Sequence, residues 1–230
     1  PAAKTRGKWA EVAAPRPDGS LWRGAAVRRR NDYAGDHRVG RGRGIEGRDA
    51  LRERIAELAS SSGDVVTGVT RRGERLFYLK RVAGESQFKL VTRVSLNGAE
   101  RVLVDPQAMA RATGTPHAVN YFTPSWDGRL VAYGVSAGGS ENASLHLMDV
   151  DSGKQLREPI PRVREPGATW SPDDRRLGFN QLRALPEGAA ESETYLDSVV
   201  FVLDLGRPDA APRAVFGKHV NPTLQLDRRD

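Results

Sequence analysis

Three times along the chain a polar corner built on Asp or Gly leads directly into a short apolar run. Arg71-Arg72-Gly73-Glu74 precedes Leu76-Phe77-Tyr78-Leu79, Ser125-Trp126-Asp127-Gly128 precedes Leu130 to Val135, and Ser171-Pro172-Asp173-Asp174 precedes Leu177-Gly178-Phe179. A further corner, Asp227-Arg228-Arg229-Asp230, stands at the last residues. Asp and Gly supply the local hydrogen bonding and the permissive backbone that a tight reversal needs, so each corner reads as a turn between antiparallel strands. Gly73 to Gly128 spans 55 residues, Asp127 to Asp174 spans 47 and Asp173 to Asp227 spans 54.

A period near fifty, with about four strands in each unit, is the mark of propeller blades. The first blade is expected over residues 64–105, with strands Val65 to Val69, Arg75 to Leu79, Phe88 to Val94 and Arg101 to Val104. Asn97-Gly98 between two strand-like runs is a strong hairpin signal. Asp105 to Pro116 reads as a connector. The second blade occupies 117–158 and includes the alternating run Ala143 to Val150, with an outermost strand near Gln155 to Arg157. The third occupies 166–217: Ala168-Thr169-Trp170, the run at Leu177, a polar insertion from Leu185 to Thr194, Ser198 to Leu203 and Arg213 to Phe216. A fourth would start at 221–230. The expected fold is all-β, a partial β-propeller of about three four-stranded antiparallel blades plus the start of a fourth.

Ahead of the blades, Asp49 is placed to cap a short helix in which Leu51, Ile55 and Leu58 share one face, and Ser60-Ser61-Ser62-Gly63 ends it. That gives a helix and linker over 49–63. Residues 1–48 show no sustained periodicity, and the Gly/Arg crowding from Arg28 to Arg48 offers little apolar surface to offset ordering entropy, so a loose basic arm is expected.

The chain's net charge of +7 is concentrated at its start: residues 1–60 hold 14 Lys/Arg against 8 Asp/Glu, and the rest 22 against 21. A polyanion would have to be held by that first stretch, where Arg28 to Arg30, Arg38, Arg41 and Arg43 have few aromatics among them, so a solvated arm is favoured over a nucleic-acid binder. No long uncharged apolar run speaks for a membrane span, and the expected protein is soluble with no membrane partner. With no Cys there are no disulfides and no thiolate metal sites. His37, His117, His146 and His219 lack any metal-ligand spacing, so neither metal nor cofactor is expected. The cytoplasm is the favoured compartment and the periplasm the alternative.

Two motif matches have the wrong surroundings. Gly134-Val135-Ser136-Ala137-Gly138 fits the nucleophile pattern G-x-S-x-G, but a Gly-rich turn and a strand follow Ser136 where that elbow needs a helix. It reads as a bend between blade strands, and no catalytic residue is assigned. Gly42-Arg43-Gly44-Ile45-Glu46-Gly47 fits G-x-G-x-x-G but is entered by polar Asp36-His37-Arg38-Val39, so a flexible loop is expected. Trp126 and Trp170 read as blade-to-blade packing anchors.

Several segments, in order, carry a resemblance: RVLVDPQAMA, TPSWDGRLVAYGVSAGGSE, MDVDSGKQL, TWSPDDRRLGFN, and ETYLDSVVFVLDLG followed by RAVFG. From about Gly68 to Asp230 the sequence resembles the amino-terminal half of the propeller in the prolyl oligopeptidase family of serine peptidases. The resemblance implies seven blades followed by an α/β-hydrolase domain bearing Ser, Asp and His, which would be this chain's principal partner, with short peptides as substrates. It implies that the propeller caps that site and admits only short peptides, so this chain is expected to be inactive by itself. It also implies substrate-proximal positions at Gly139, Ser140 and Glu141 of the GGSE turn, and at Gly178, Phe179 and Asn180, where Gly178 takes the place of a pocket-lining aromatic. Two alternatives stay open: a free-standing interaction module that self-associates through open strand edges, and the basic-arm nucleic-acid binder.

Overall fold

In the computed structural model, the described residues are 47–61, 63–164, 166–207, 211–221 and 223. From Asp49 onward they belong to one compact unit. The expected arm at 1–48 lies almost wholly outside them. So do the Gly-rich motif at Gly42 (all but its last residue) and most of the expected fourth-blade start, Thr223 itself being a turn residue.

Helix α1 spans Arg48–Ser61. Asp49 falls inside its first turn rather than at the cap, where its charge still suits the positive helix end. Leu51, Ile55 and Leu58 share a face, and each is more than half exposed.

The first sheet runs β1 (Val65–Arg72), β2 (Arg75–Arg81), β3 (Lys89–Val94) and β4 (Arg101–Val104), paired antiparallel in chain order. The expected connector contains a helix, α2 (Pro106–Thr113). Asp105 is its N-cap and accepts from the Gln107 and Ala108 N–H groups, Pro106 suits the first turn, and Gly114 closes it in the left-handed region at φ 73°. Lys89 lies 3.4 Å from Asp105, and both the cap bonds and that cation hold the Asp105 carboxyl below its ordinary range against its partial burial.

The second sheet is β5 (His117–Pro124), β6 (Leu130–Ala137) and β7 (Ser144–Asp149). Its expected outer strand is reduced to two isolated bridges, Met148 with Gln155 and Leu145 with Ile160. The third sheet contains β8 (Ala168–Trp170), β9 (Arg176–Gln181), β10 (Val199–Asp204) and β11 (Arg213–Phe216), again antiparallel and in chain order. This is the expected architecture: a mostly β partial propeller of three- and four-stranded sheets.

The blade cores follow from strand periodicity. Successive side chains of β6 point to opposite faces. Val131, Tyr133 and Val135 join Phe77, Leu90 and Val104 of the first blade. Ala132 faces the other way and joins Trp170, Leu177, Phe179 and Leu203 of the third. On β7, Met148 packs toward the first blade while Leu145 and Leu147 pack toward the third. A strand covered on both sides must be apolar at nearly every position, which is why LVAYGV carries no polar alternation. Each fully buried Val, Leu or Phe contributes about 1.5–3 kcal/mol, so the stability of this unit resides between blades as much as within them.

Tyr121 makes a close contact between the second blade and the segment that leads into the third. Its hydroxyl donates to the Val163 carbonyl at 2.7 Å. Its ring lies against Gly134 and Gly167, where a Cβ would come within 2.2 and 2.4 Å of ring carbons. Both glycines are therefore needed for lack of a side chain, whatever their backbone angles.

Candidate functional site

Antiparallel order gives these blades two ends. At one end the three corners are neighbours. In the second blade Ser125 Oγ donates to Asp127 Oδ1 at 2.7 Å, and the Arg129 and Leu130 N–H groups donate to Asp127 Oδ1 and Ser125 Oγ, each at 2.9 Å. The third blade repeats this pattern with Ser171, Asp173, Arg175 and Arg176. The Ser171 hydroxyl and Arg175 N–H hold the Asp173 carboxyl below its ordinary value. Gly128, at φ 71°, has its counterpart in Asp174, at φ 55°. A Cβ on Gly128 would come 2.9 Å from the Arg72 carbonyl oxygen of the first blade, so a side chain is excluded there. The Asp174 side chain has room and reaches back to the second blade, accepting the Trp126 and Asp127 N–H groups.

The two tryptophans do join blades, by different means and from non-equivalent positions. Trp170 is buried, ends β8 and donates Nε1–H to the Thr123 carbonyl at 2.9 Å. Trp126 is in the corner itself, about half exposed, with the Arg72 guanidinium 4.5 Å above its ring. At this end neighbouring blades are thus joined by hydrogen bonds and a cation–π contact.

The opposite end carries the irregular segments: the β6–β7 turn, the stretch from Arg162 to Gly167, and the insertion between β9 and β10. Arg162 and Leu182 exchange two hydrogen bonds of 3.0 Å, Gln181 Nε2 donates to the Pro161 carbonyl, and Arg183 pairs with Glu193. These bonds join the end of β9 to the segment before β8, and the Arg183–Glu193 pair closes the insertion on itself. At this end opens a cavity of about 310 Å³ lined by Asn120, Glu141, Arg164 and Tyr195.

Each lining residue has a structural reason for its place. Asn120 is the extra residue where the β5–β6 register slips between Val119 and Tyr121, a bulge of the kind that re-aims a side chain. Arg164 has its guanidinium 5.0 Å from the Tyr195 ring centroid and hydrogen-bonded to the Tyr195 hydroxyl. Its Nη2 lies 3.8 Å from Glu141 Oε2, too far for a hydrogen bond, and the Glu141 side chain is 82% exposed. Two buried atoms here, Asn120 Oδ1 and Arg164 Nε, have no hydrogen-bond partner. Among the described residues no group of His, Asp and Glu is arranged to hold a metal ion. Nor is any described helix long and apolar enough to cross a membrane.

Of the residues singled out in the sequence, Gly139, Ser140 and Glu141 fall in the exposed β6–β7 turn, where Ser140 Oγ accepts the Asn142 N–H. Only Glu141 among them lines the cavity. Gly178, Phe179 and Asn180 lie along β9 with alternating orientation. Gly178 and Asn180 share the face turned away from the second blade, whereas Phe179 is buried and stacks on Phe201 at 5.9 Å. Phe179 is therefore part of the core cluster shared with the second blade. Ser136 is buried within β6 rather than in a bend. His117 pairs with Ala137 in register and so projects from the opposite face, and no helix follows the serine. Asn120, Arg164 and Tyr195 carry no sequence motif; the polar insertion Leu185 to Thr194, which ends beside Tyr195, was the nearest signal.

The model for the prolyl oligopeptidase N-terminal β-propeller domain matches residues 41–228, most of the chain. This chain belongs to that family. A prolyl endopeptidase of Elizabethkingia meningoseptica is 25% identical to this family member over 127 residues, covering 55% of the chain and 17% of the relative. Among solved structures, a prolyl endopeptidase described for inter-domain dynamics in catalysis and specificity aligns with TM-score 0.62 and 27% identity, over 77% of this chain and 27% of that one. Prolyl oligopeptidase B of Galerina marginata, bound to a 35mer substrate, aligns with TM-score 0.58 over 73% of this chain and 26% of that one; its 15% identity speaks for the fold alone. The propeller segment thus spans about a sixth of the curated relative and about a quarter of the solved chains.

Proposed function

We propose that this propeller segment works as the peptide-admitting part of a prolyl oligopeptidase-type serine peptidase and takes no covalent part in the reaction. Acyl transfer belongs to an α/β-hydrolase domain carrying Ser, His and Asp, with this segment restricting access by size so that short peptides reach it and folded proteins do not. In this arrangement residues 1–48 are a basic extension, 49–63 a helix and linker, and 64–230 the blades.

The observation that carries the proposal is the division of labour between the two ends. At one end the corners exchange inter-blade hydrogen bonds, while the other presents an open turn, Gly139 to Glu141, beside a cavity lined by polar side chains. We assign substrate-proximal roles to Gly139, Ser140 and Glu141, and to Gly178 and Asn180 of β9, where the lack of a side chain at Gly178 leaves room on the outer face. Phe179 supports them from the core.

Photoreactive short peptides incubated with the purified chain should label the segment around Gly139 to Glu141 or Asn180, and a photoreactive folded protein should not. Equal labelling by both, or labelling confined to the corner end, would overturn the proposal. So would hydrolysis of a prolyl-peptide ester by the purified chain that is lost on Ser136→Ala.

A further inference from the structure

The cavity at Asn120, Glu141, Arg164 and Tyr195 has a chemical character more specific than a size filter. Arg164 is held by Tyr195 on one side, through its ring face and its hydroxyl, so the guanidinium is fixed in direction. The side chain is 19% exposed, and its Nε–H is buried with no acceptor. Among the described residues, the carboxylate that faces it is that of Glu141, at 3.8 Å on a largely exposed side chain. A fixed guanidinium with an unused donor and a loosely held counterion is half of a carboxylate site: the fork accepts a planar carboxylate with two parallel hydrogen bonds, and Glu141 is displaced to solvent when it arrives.

Asn120 supplies the second half. Its bulge position turns the side chain toward the same cavity, and its buried Oδ1 is an acceptor without a donor. An anion without a proton to donate, such as sulfate, would satisfy Arg164 and leave Asn120 Oδ1 unpaired. A peptide satisfies both, because a carboxylate comes with a main-chain N–H within a few bonds of it. The volume of about 310 Å³ suits one or two residues of a peptide rather than a larger ligand.

We propose that this cavity is a peptide-carboxylate subsite, with Arg164 binding the carboxylate, Asn120 accepting a neighbouring N–H, and Glu141 acting as a displaceable counterion that competes with the ligand. The carboxylate is either the C-terminus of a short peptide or an Asp or Glu side chain within it. This rests on the peptide-admitting role given above and adds a chemical preference to it.

The test uses the purified 230-residue chain and three fluorescent peptides of one short sequence: a free acid, a C-terminal amide, and an amide carrying one internal Glu. Binding is followed by anisotropy. At least one carboxylate-bearing peptide binds about tenfold more tightly than the neutral amide, as expected for one charge-assisted pair, and which one does so identifies the source. Arg164→Gln abolishes the difference. Glu141→Gln, at an exposed position where folding is not at stake, widens it by removing the competitor. A widened preference in that variant is the outcome a purely structural ion pair would not give. Three peptides binding alike, or a preference unmoved by both variants, overturns the subsite while leaving size-restricted admission standing. Binding by none of them overturns the subsite, and loss of photolabelling as well removes the admission role.

Discussion

Asp174 caps a turn that belongs to its neighbour: its carboxylate accepts the Trp126 N–H at 2.8 Å and the Asp127 N–H at 2.9 Å, across 47 to 48 residues of sequence. To do so it occupies a left-handed backbone position, φ 55°, that glycine fills in the preceding blade. Asp174→Ala keeps the strained backbone and loses both bonds, so it should destabilise the fold by about 1–2 kcal/mol. Asp174→Gly loses the bonds but relieves the backbone, and should fall between wild type and Asp174→Ala. Urea unfolding ranks the three. Hydrogen exchange adds a local check, since the Trp126 and Asp127 amides should lose protection ahead of the β6 strand amides.

The slot around Tyr121 predicts severe overpacking. Gly134→Ala would drive a methyl group into the ring, and Gly167→Ala would do so from the other side while also straining a residue at φ 84°. Each should cost about 3 kcal/mol or more. Tyr121→Phe keeps the ring and leaves the Val163 carbonyl without its donor, a loss of about 1–2 kcal/mol. Thermal denaturation should place both glycine variants well below Tyr121→Phe, and the opposite order would mean the ring is not confined there.

Burial lowers the pKa of His146, whose ring stacks on Tyr133 at 5.0 Å. A histidine whose folded pKa lies below its ordinary value of 6.5 binds fewer protons folded than unfolded between those two values. Its neutral form therefore supports stability fully above pH 6.5, and that support is lost as pH falls through and below this point. Chemical unfolding at a series of pH values should show wild type losing stability on acidification more steeply than His146→Phe over that window. Parallel curves would assign the acid sensitivity elsewhere.

Trp170 joins β8 to the second blade through Nε1–H and the Thr123 carbonyl while contributing its ring to the shared core. Trp170→Phe should cost about 2–3 kcal/mol, combining a lost bond with a small cavity. Trp126→Phe, at a half-exposed position, should cost well under 1 kcal/mol. Comparing the unfolding fluorescence of each variant with wild type separates the two, because of this pair it is Trp170 that moves from an apolar site to water.

Most of the blade architecture was written in short-range chemistry. Corners such as Ser125 to Gly128 hydrogen-bond within six residues, and runs such as Leu130 to Val135 declare a strand covered on both faces, so their order and approximate bounds could be read directly. Helix α2 was equally local, with Asp105, Pro106 and Gly114 as its start and stop signals. It was missed because those residues read just as well as a turn-rich connector. The outer strand expected for the second blade does not form: near Gln155 and Ile160 the chain touches β7 at single bridges without a ladder. The cavity could not have been foreseen. Asn120 depends on a bulge set by pairing with β6, and Arg164, Glu141 and Tyr195 meet only after three separate loops fold to the same end. Ser136 shows the converse, a motif whose meaning disappears once its strand is seen to be internal.

The alternation along β6 has a consequence for how the molecule assembles. Val131 and Tyr133 serve one neighbour while Ala132 serves the other, so a slip of one residue would misassign both partitions at once. Neither flanking blade has a complete interior unless this middle hairpin holds its register. An error there would therefore be inherited by both neighbours at once.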